Sequence, residues 1–276
     1  MSNMAGVPFQ ALADACGPRL LVVHVHIPKT GGTSISELLQ TCSSQRGMRF
    51  AYGHHDNFLA MTSTEQARVS AIDAHMGYGI HMQPSFPVER RNCTFYVTMS
   101  RPYASVIWSA LGHLQSMNAP LLEPKGSNLL SNPWNFGGAI AYQLCCWSDS
   151  QHTPDTKYDS RGHLRGDVVH MRAPIGADCP TDLHNVTHCA VRRLCSRFHH
   201  VGRIDRMDHT LHVISSWMRC KAPSTATHSN QHSAPDLREA NVDALLARLH
   251  MDNAYADAAI LRLAEQVADG DRRGCG

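Results

Sequence analysis

The segment LLVVHVHIPKTGGTSI, residues 20–35, decides the fold of this chain. Its first eight residues are apolar and rich in β-branched side chains apart from two histidines, which is typical of a strand inside a parallel sheet. Pro28 ends that strand, and Thr33 or Ser34 can cap a helix that continues through Ile35. The segment therefore predicts a strand, a tight loop and a helix in direct succession.

The loop of this unit carries residue types that bind a phosphate group. Gly31 and Gly32 allow the backbone to approach an anion closely, and the N–H groups at the start of the helix favour negative charge. Lys29 adds a positive charge. Three hydroxyl side chains lie in the same loop: Thr30, Thr33 and Ser34. A Walker A loop places its lysine after the glycines, whereas Lys29 precedes them, so the order disfavours an ATPase or GTPase loop.

Other apolar segments extend the alternation of strands and helices. Further strands are predicted at 48–52, 94–100 and 198–202. Further helices are predicted at 64–72, 106–114, 135–147, 186–195, 210–218, 238–249 and 253–268. This alternation predicts an α/β fold with a P-loop-like parallel sheet flanked by helices. We expect one domain over 19–276 with a long irregular insertion, after a flexible N-terminal arm over 1–18.

Composition and hydropathy exclude several classes of protein. The apolar share of 43% is that of a globular chain, and the net charge of +2 argues against a nucleic-acid binder. The longest apolar run, 20–27, is far shorter than the ~20 residues of a spanning helix, so no membrane span is predicted. The first 18 residues show no signal peptide, whereas sequons at Asn92 and Asn185 favour a lumenal glycoprotein. The compartment stays open.

The ten cysteines follow no structural zinc pattern, because no Cys-x2-Cys pair occurs. Two histidines, His184 and His188, lie among Cys179, Cys189 and Cys195, but this spacing fits no standard zinc site, and no metal is predicted. In an oxidising compartment we expect a disulfide between two of these three cysteines, and in a reducing one free thiols.

The loop HIPKTGGTS, residues 26–34, resembles the 5′-phosphosulfate-binding loop of the sulfotransferases that use 3′-phosphoadenosine 5′-phosphosulfate (PAPS). It is most similar to the branch of the glycosaminoglycan (heparan and dermatan sulfate) 2-O-sulfotransferases and their algal and bacterial relatives. The resemblance implies that Lys29 contacts the phosphosulfate and assists departure of the product, adenosine 3′,5′-bisphosphate (PAP). It implies that six residues hold the 5′-phosphate: Lys29, Thr30, Gly31, Gly32, Thr33 and Ser34.

A second segment, TMSRPYASVIWS at residues 98–109, matches the same family. Arg101 and Ser109 have the spacing of the arginine and serine that bind the 3′-phosphate in the family. The physical chemistry agrees, because an arginine can bind a phosphate with two parallel hydrogen bonds. The chain departs from the family after the arginine, where Pro102-Tyr103 replaces the usual Asp-Pro.

A third segment, DAHMGYGIH at residues 73–81, resembles the family segment that carries the general base of the 2-O-sulfotransferases. His75 matches that histidine. Imidazole suits the abstraction of a proton from an acceptor hydroxyl at neutral pH. The reserve candidates for this role are His81, Asp73 and the pair His54-His55. His24 and His26 on the first strand are expected to be packing groups or groups that support the site residues from behind.

The resemblance implies a PAPS-dependent sulfotransferase (EC 2.8.2.-) that moves a sulfuryl group to a hydroxyl of a carbohydrate, with no metal required. It implies the Golgi lumen as the compartment. Residues 118–197 match only loosely and are expected to form the acceptor site; the basic and histidine side chains of 148–182 suit an acidic glycan. Three alternatives stay open: an inactive sulfotransferase-like nucleotide-binding protein, a P-loop kinase-like phosphotransferase, and a histidine-rich metal-binding or scaffold protein.

Overall fold

The computed structural model describes residues 9–52, 58–74, 77–107, 109, 139–145, 183–222, 255–271 and 273–275. Within these residues five strands form an entirely parallel sheet in the order β2-β3-β1-β4-β5. The strands are β1 (Leu21–Val25), β2 (Arg49–Tyr52), β3 (Val69–Ala74), β4 (Thr94–Ser100) and β5 (His200–Arg203). The predicted α/β class with a parallel, helix-flanked sheet is therefore confirmed.

Helices cover both faces of the sheet. They are α1 (Phe9–Cys16), α2 (Gly32–Gln45), α3 (Ser63–Arg68), α4 (Ala139–Cys145), α5 (Leu183–Ser196), α6 (Met207–Met218) and α7 (Tyr255–Ala268), and residues 103–107 and 109 are also helical. Alternate residues of β1 enter two separate cores. Val23 and Val25 pack with α4, α5 and α7, whereas Val22 packs with α1, α2 and α6. Among the described helices, none combines the length and the hydropathy needed to cross a membrane.

The prediction of a helix over 64–72 was wrong in its second half. The helix ends at Arg68, and Val69–Ala74 form β3 beside β1. Thr62 and Glu65 form a capping box at the start of α3, and the apolar residues predicted to continue the helix belong to the strand. The predicted helix at 238–249 and the segment 148–182 lie outside the described residues.

The prediction of a flexible arm over 1–18 was wrong for residues 9–18. Phe9–Cys16 form α1, which packs against α6 and buries Ala13 and Cys16. A short 3-10 helix, Gly17–Arg19, then leads to β1. Residues 1–8 lie outside the described residues.

Each cysteine in the described part of the chain takes part in a disulfide. The pairs are Cys16–Cys93, Cys42–Cys220, Cys145–Cys189 and Cys195–Cys275. The expected disulfide between two of Cys179, Cys189 and Cys195 is therefore wrong, because Cys189 and Cys195 are each bonded to a cysteine outside this trio. Cys179 lies outside the described residues. Disulfides that link distant segments in this way are typical of proteins in oxidising compartments.

Arg90 secures the amino-terminal ends of two strands. Its side chain lies before β4, the residue is 2% exposed, and burial lowers the pKa of its guanidinium to about 10. The guanidinium donates hydrogen bonds to four backbone carbonyl groups, those of Arg19, Leu20, Gln66 and Val69. These carbonyls lie just before β1, near the end of α3 or at the start of β3, so one side chain joins both strands to the turn before β4.

Arg90→Ala is expected to lower the free energy of unfolding by about 3 kcal/mol, because buried carbonyl groups lose their donors. Arg90→Lys should recover part of that loss, since an ammonium group can satisfy some of the carbonyls. Urea denaturation followed by circular dichroism measures both values. A loss below about 1 kcal/mol for the alanine variant, typical of a surface substitution, would contradict this role.

Candidate functional site

The carboxyl ends of the parallel strands bring the predicted site residues to one edge of the sheet. β1 leads into the loop over 26–31, and its neighbour β4 leads directly into Arg101. From β1 the chain continues to β2 and β3 on one side of the sheet, whereas from β4 it continues to β5 on the other. The crevice between β1 and β4 is therefore the topological switch point, where open α/β sheets bind their ligands.

The backbone of the loop is held in an uncommon conformation by close packing. Lys29 has φ 64° and Gly31 has φ 96°, both in the left-handed region that a lysine rarely adopts. A Cβ on Gly31 would lie 2.6 Å from Cε of Met207 at the start of α6. A Cβ on Gly32 would overlap the ring of His26. Gly32 therefore has no room for a side chain, and a side chain at Gly31 would combine a strained φ with displacement of the Met207 methyl group.

Lys29 and Arg101 lie side by side at the switch point. Nη1 of Arg101 donates a hydrogen bond to the carbonyl oxygen of Lys29 over 3.3 Å. Burial and the neighbouring charge of Arg101 lower the pKa of the Lys29 ammonium to about 8. Both residues remain partly exposed. Two adjacent cations at the N-terminus of α2 create a local field that attracts anions.

The hydroxyl residues of the predicted site have different environments. Thr30 is buried, and its hydroxyl donates a hydrogen bond to the carbonyl of Ile27 over 2.8 Å, so this side chain shapes the loop from within. Thr33 and Ser34 lie partly exposed in the first turn of α2. Ser109 is helical and partly exposed, two helical turns beyond the end of β4.

His75 lies outside the described residues, but the chain on either side of it is tied to the loop. Asp73, which precedes it, interacts with His26. Tyr78, which follows it, donates its backbone N–H to the carbonyl of Gln143 over 2.8 Å. The side chain of Gln143 in turn donates to the carbonyl of His26 over 2.8 Å. Helix α4 therefore connects the segment of the predicted base with the phosphate-type loop.

The reserve candidate His81 belongs to a buried aromatic cluster. Its Nδ1 lies 2.7 Å from the phenol oxygen of Tyr96, and Tyr96 is four residues before the end of β4. Burial, together with nearby Arg197 and Arg193, lowers the pKa of His81 to about 4. The imidazole is therefore neutral at pH 7 and engaged in packing. The pair His54-His55 lies outside the described residues.

A charged cluster beneath the loop was not recognised as a unit from the sequence. Asp73 of β3 lies opposite His24 of β1 in the register of the sheet. Oδ1 of Asp73 is 2.7 Å from Nδ1 of His24 and 3.4 Å from Nδ1 of His26, and the hydroxyl of Ser36 in α2 donates to Oδ2. The cluster was missed because β3 was not predicted as a strand. Once Val69–Ala74 is known to be a strand beside β1, the alternation of side chains puts His24 and Asp73 on one face.

Burial and the contacts between Asp73 and the two histidines set the ionisation of this cluster. Burial disfavours the charge of Asp73, but His26 and His24 outweigh that effect and hold the pKa of the carboxyl group below its usual range. Burial lowers the pKa of His24, although the carboxylate of Asp73 opposes that shift. At neutral pH the cluster therefore contains an ionised Asp73 that accepts hydrogen bonds.

No model of a known protein family matches this chain, and no curated protein matches it.

Proposed function

We propose that this protein is a sulfotransferase that transfers the sulfuryl group of PAPS to a hydroxyl group of a carbohydrate. The observation that carries the proposal is the contact between Lys29 and Arg101 at the switch point of the sheet. Like charges held together favour the binding of an anion, because a negative group relieves their repulsion. A nucleotide with phosphate groups at both its 5′ and 3′ positions offers one anion to each cation.

Each residue of the proposed site has a separate task. Lys29 and the N–H groups at the start of α2 bind the 5′-phosphosulfate and stabilise the charge that develops on the leaving phosphate. Arg101 and Ser109 bind the 3′-phosphate. His75 accepts the proton of the acceptor hydroxyl while the hydroxyl oxygen attacks sulfur and the bond from sulfur to the phosphate oxygen breaks. The products are the sulfate ester and PAP.

The proposed carbohydrate acceptor and the proposed Golgi compartment rest on two separate observations. The carbohydrate acceptor follows from the likeness of residues 26–34 and 73–81 to the 2-O-sulfotransferase branch. The Golgi lumen is supported by the disulfides, since glutathione and thioredoxin keep such cysteines reduced in the cytosol.

Transfer of ³⁵S from labelled PAPS to a panel of desulfated glycosaminoglycans tests this proposal. We expect Lys29→Ala and His75→Ala to lower the rate of transfer by about 10²-fold or more. The His75 variant should keep the PAP affinity of the wild type. PAP binding without transfer would point to an inactive nucleotide-binding protein, and the absence of both would overturn the proposal.

The buried position of Asp73 bears on the kinase-like alternative. A kinase needs a carboxylate that reaches the magnesium ion of Mg-ATP. Asp73 stands at the end of the strand beside β1, but it is fully buried and engaged by His24 and Ser36. We therefore expect Mg-ATP to bind at least about 10²-fold more weakly than PAP, a difference of about 2.7 kcal/mol.

The affinity for PAP is expected to fall above pH 8, because Lys29 binds the phosphate only as an ammonium group and its pKa in the free protein is about 8. Between pH 8 and 9.5 the dissociation constant of PAP should rise by at most about tenfold per pH unit, since Lys29 takes up one proton when PAP binds. Titrations at several pH values measure this slope. Lys29→Arg keeps its charge and should give a flat profile. A flat profile for the wild type would contradict the role of Lys29.

A further inference from the structure

The cluster beneath the loop brings three metal-binding side chains together. His24 and Asp73 are paired residues of neighbouring strands, and His26 follows β1 directly. One nitrogen of each histidine and one carboxylate oxygen of Asp73 lie within 4.8 Å of one another. The two histidine rings are nearly parallel, with centroids 5.1 Å apart. Backbone pairing of β1 and β3 fixes His24 opposite Asp73, and His26 is the first residue of the loop that follows β1.

The hydrogen bonds within the cluster leave Nε2 of the buried His24 unsatisfied. His24 is 1% exposed, and its Nε2 has no hydrogen-bond partner among the described residues, whereas its Nδ1 faces Asp73. A buried polar atom without a partner is costly, so the described residues do not complete the environment of this ring. Neutral imidazole is a good metal ligand through either nitrogen, and Nδ1, which faces Asp73, is the one that an ion shared with this carboxylate would contact.

Ser36 orients the carboxylate of Asp73, as residues around a metal site orient the groups that bind the metal. The hydroxyl of Ser36 donates to Oδ2 of Asp73, which fixes the carboxylate and directs Oδ1 toward the two histidines. The side chain of His26 is 12% exposed, which gives an ion a route from solvent to the cluster.

We propose that His24, His26 and Asp73 form a binding site for one divalent transition-metal ion. Two imidazole nitrogens and one carboxylate oxygen suit zinc and its spectroscopic substitute cobalt, whereas magnesium and calcium prefer ligand sets made of oxygen. The ion would join β1 to β3 and, through Ser36, to α2, and so it would fix both ends of the loop. Sulfuryl transfer needs no metal, and this site does not rest on the proposed function.

Metal content measured on the tag-free full chain tests the site. The protein is stripped with a chelator, dialysed against zinc and analysed by mass spectrometry, and its affinity is measured by competition with a zinc indicator. We expect one tightly bound equivalent. Asp73→Asn and His24→Gln should each weaken it by at least about 10–100-fold, the loss typical of residues that only surround the ligands of a metal site.

A matched control uses a second close histidine pair from the described part of the chain. His184 and His188 lie on an exposed face of α5 with ring centroids 4.5 Å apart, and they would be the alternative zinc site. His188→Gln should leave the tight equivalent unchanged. Loss of that equivalent in His188→Gln, its retention in Asp73→Asn, or no tight equivalent in the wild type would overturn the proposal.

X-ray absorption on the metal-loaded wild type keeps the test decisive if a variant does not fold. The proposal predicts a first coordination shell with two imidazole nitrogens and a carboxylate oxygen, at distances of about 2.0–2.2 Å. Sulfur in that shell, or more than two imidazoles, would overturn it. Neither measurement involves a nucleotide, so its outcome is independent of PAP binding.

Discussion

Arg101→Ala is expected to weaken the binding of PAP by about 10³-fold, which corresponds to about 4 kcal/mol. In the proposed site the guanidinium would provide paired hydrogen bonds and a full charge for the 3′-phosphate, and a charged hydrogen bond contributes about 1.5–3 kcal/mol. Adenosine 5′-phosphate lacks the 3′-phosphate, so its affinity should change by less than about tenfold. Arg101→Ala should therefore lose most of the preference for PAP over adenosine 5′-phosphate, which calorimetric titration with both nucleotides measures.

Two control variants separate the role of Arg101 from a general effect of charge. Arg101→Lys keeps the charge without the planar fork and should give an intermediate loss. Arg203→Ala removes a guanidinium at the end of β5, where it is paired with Asp205 and Asp269, and should change PAP binding by less than about threefold. An equal loss of affinity for PAP and for adenosine 5′-phosphate in Arg101→Ala would show that the residue only supports the loop.

Gly32→Ala is expected to abolish measurable binding of PAP and to destabilise the fold by about 3 kcal/mol, the upper range for overpacking. The added methyl group would overlap the His26 ring, which is confined by Asp73 on one side and by stacking on His24. Either the ring or the first turn of α2 has to move, and the N–H groups proposed to bind the 5′-phosphate move with it. Thermal denaturation and PAP titration measure the two effects.

A glycine at the other end of the same helix provides the control. Gly47 follows α2 with φ 63° and has open space where a Cβ would stand, so Gly47→Ala should cost only about 1 kcal/mol and leave binding intact. Combining Gly32→Ala with His26→Ala removes the clash and should restore part of the stability. If Gly32→Ala alone binds PAP as tightly as the wild type, the backbone of the loop does not hold the phosphate.

The sequence predicts the central part of the fold because its signals there are local. A continuous apolar strand, a proline, two glycines and a capping hydroxyl lie within residues 20–35, and the structure has β1, the loop and α2 in that order. The strand predicted at 94–100 coincides with β4. Since β4 is parallel to β1 and beside it, the placement of Arg101 near Lys29 follows from topology alone.

The features that the sequence did not predict depend on distant contacts. β3 was hidden because its six residues follow directly on a well-capped helix without a turn signal between them. The cluster of Asp73 with the two strand histidines could not be assembled without that strand. The carbonyl partners of Arg90 and the partners of the disulfides are likewise set by tertiary packing, for which single-residue patterns hold no signal.

Calorimetric titration of the wild-type protein with PAP and with adenosine 5′-phosphate tests the central claim most directly. The account predicts binding of PAP at micromolar concentration. Adenosine 5′-phosphate should bind at least about 10²-fold more weakly, since it offers Arg101 no 3′-phosphate. No binding of PAP, or equal binding of the two nucleotides, would contradict the assignment of this crevice to PAPS.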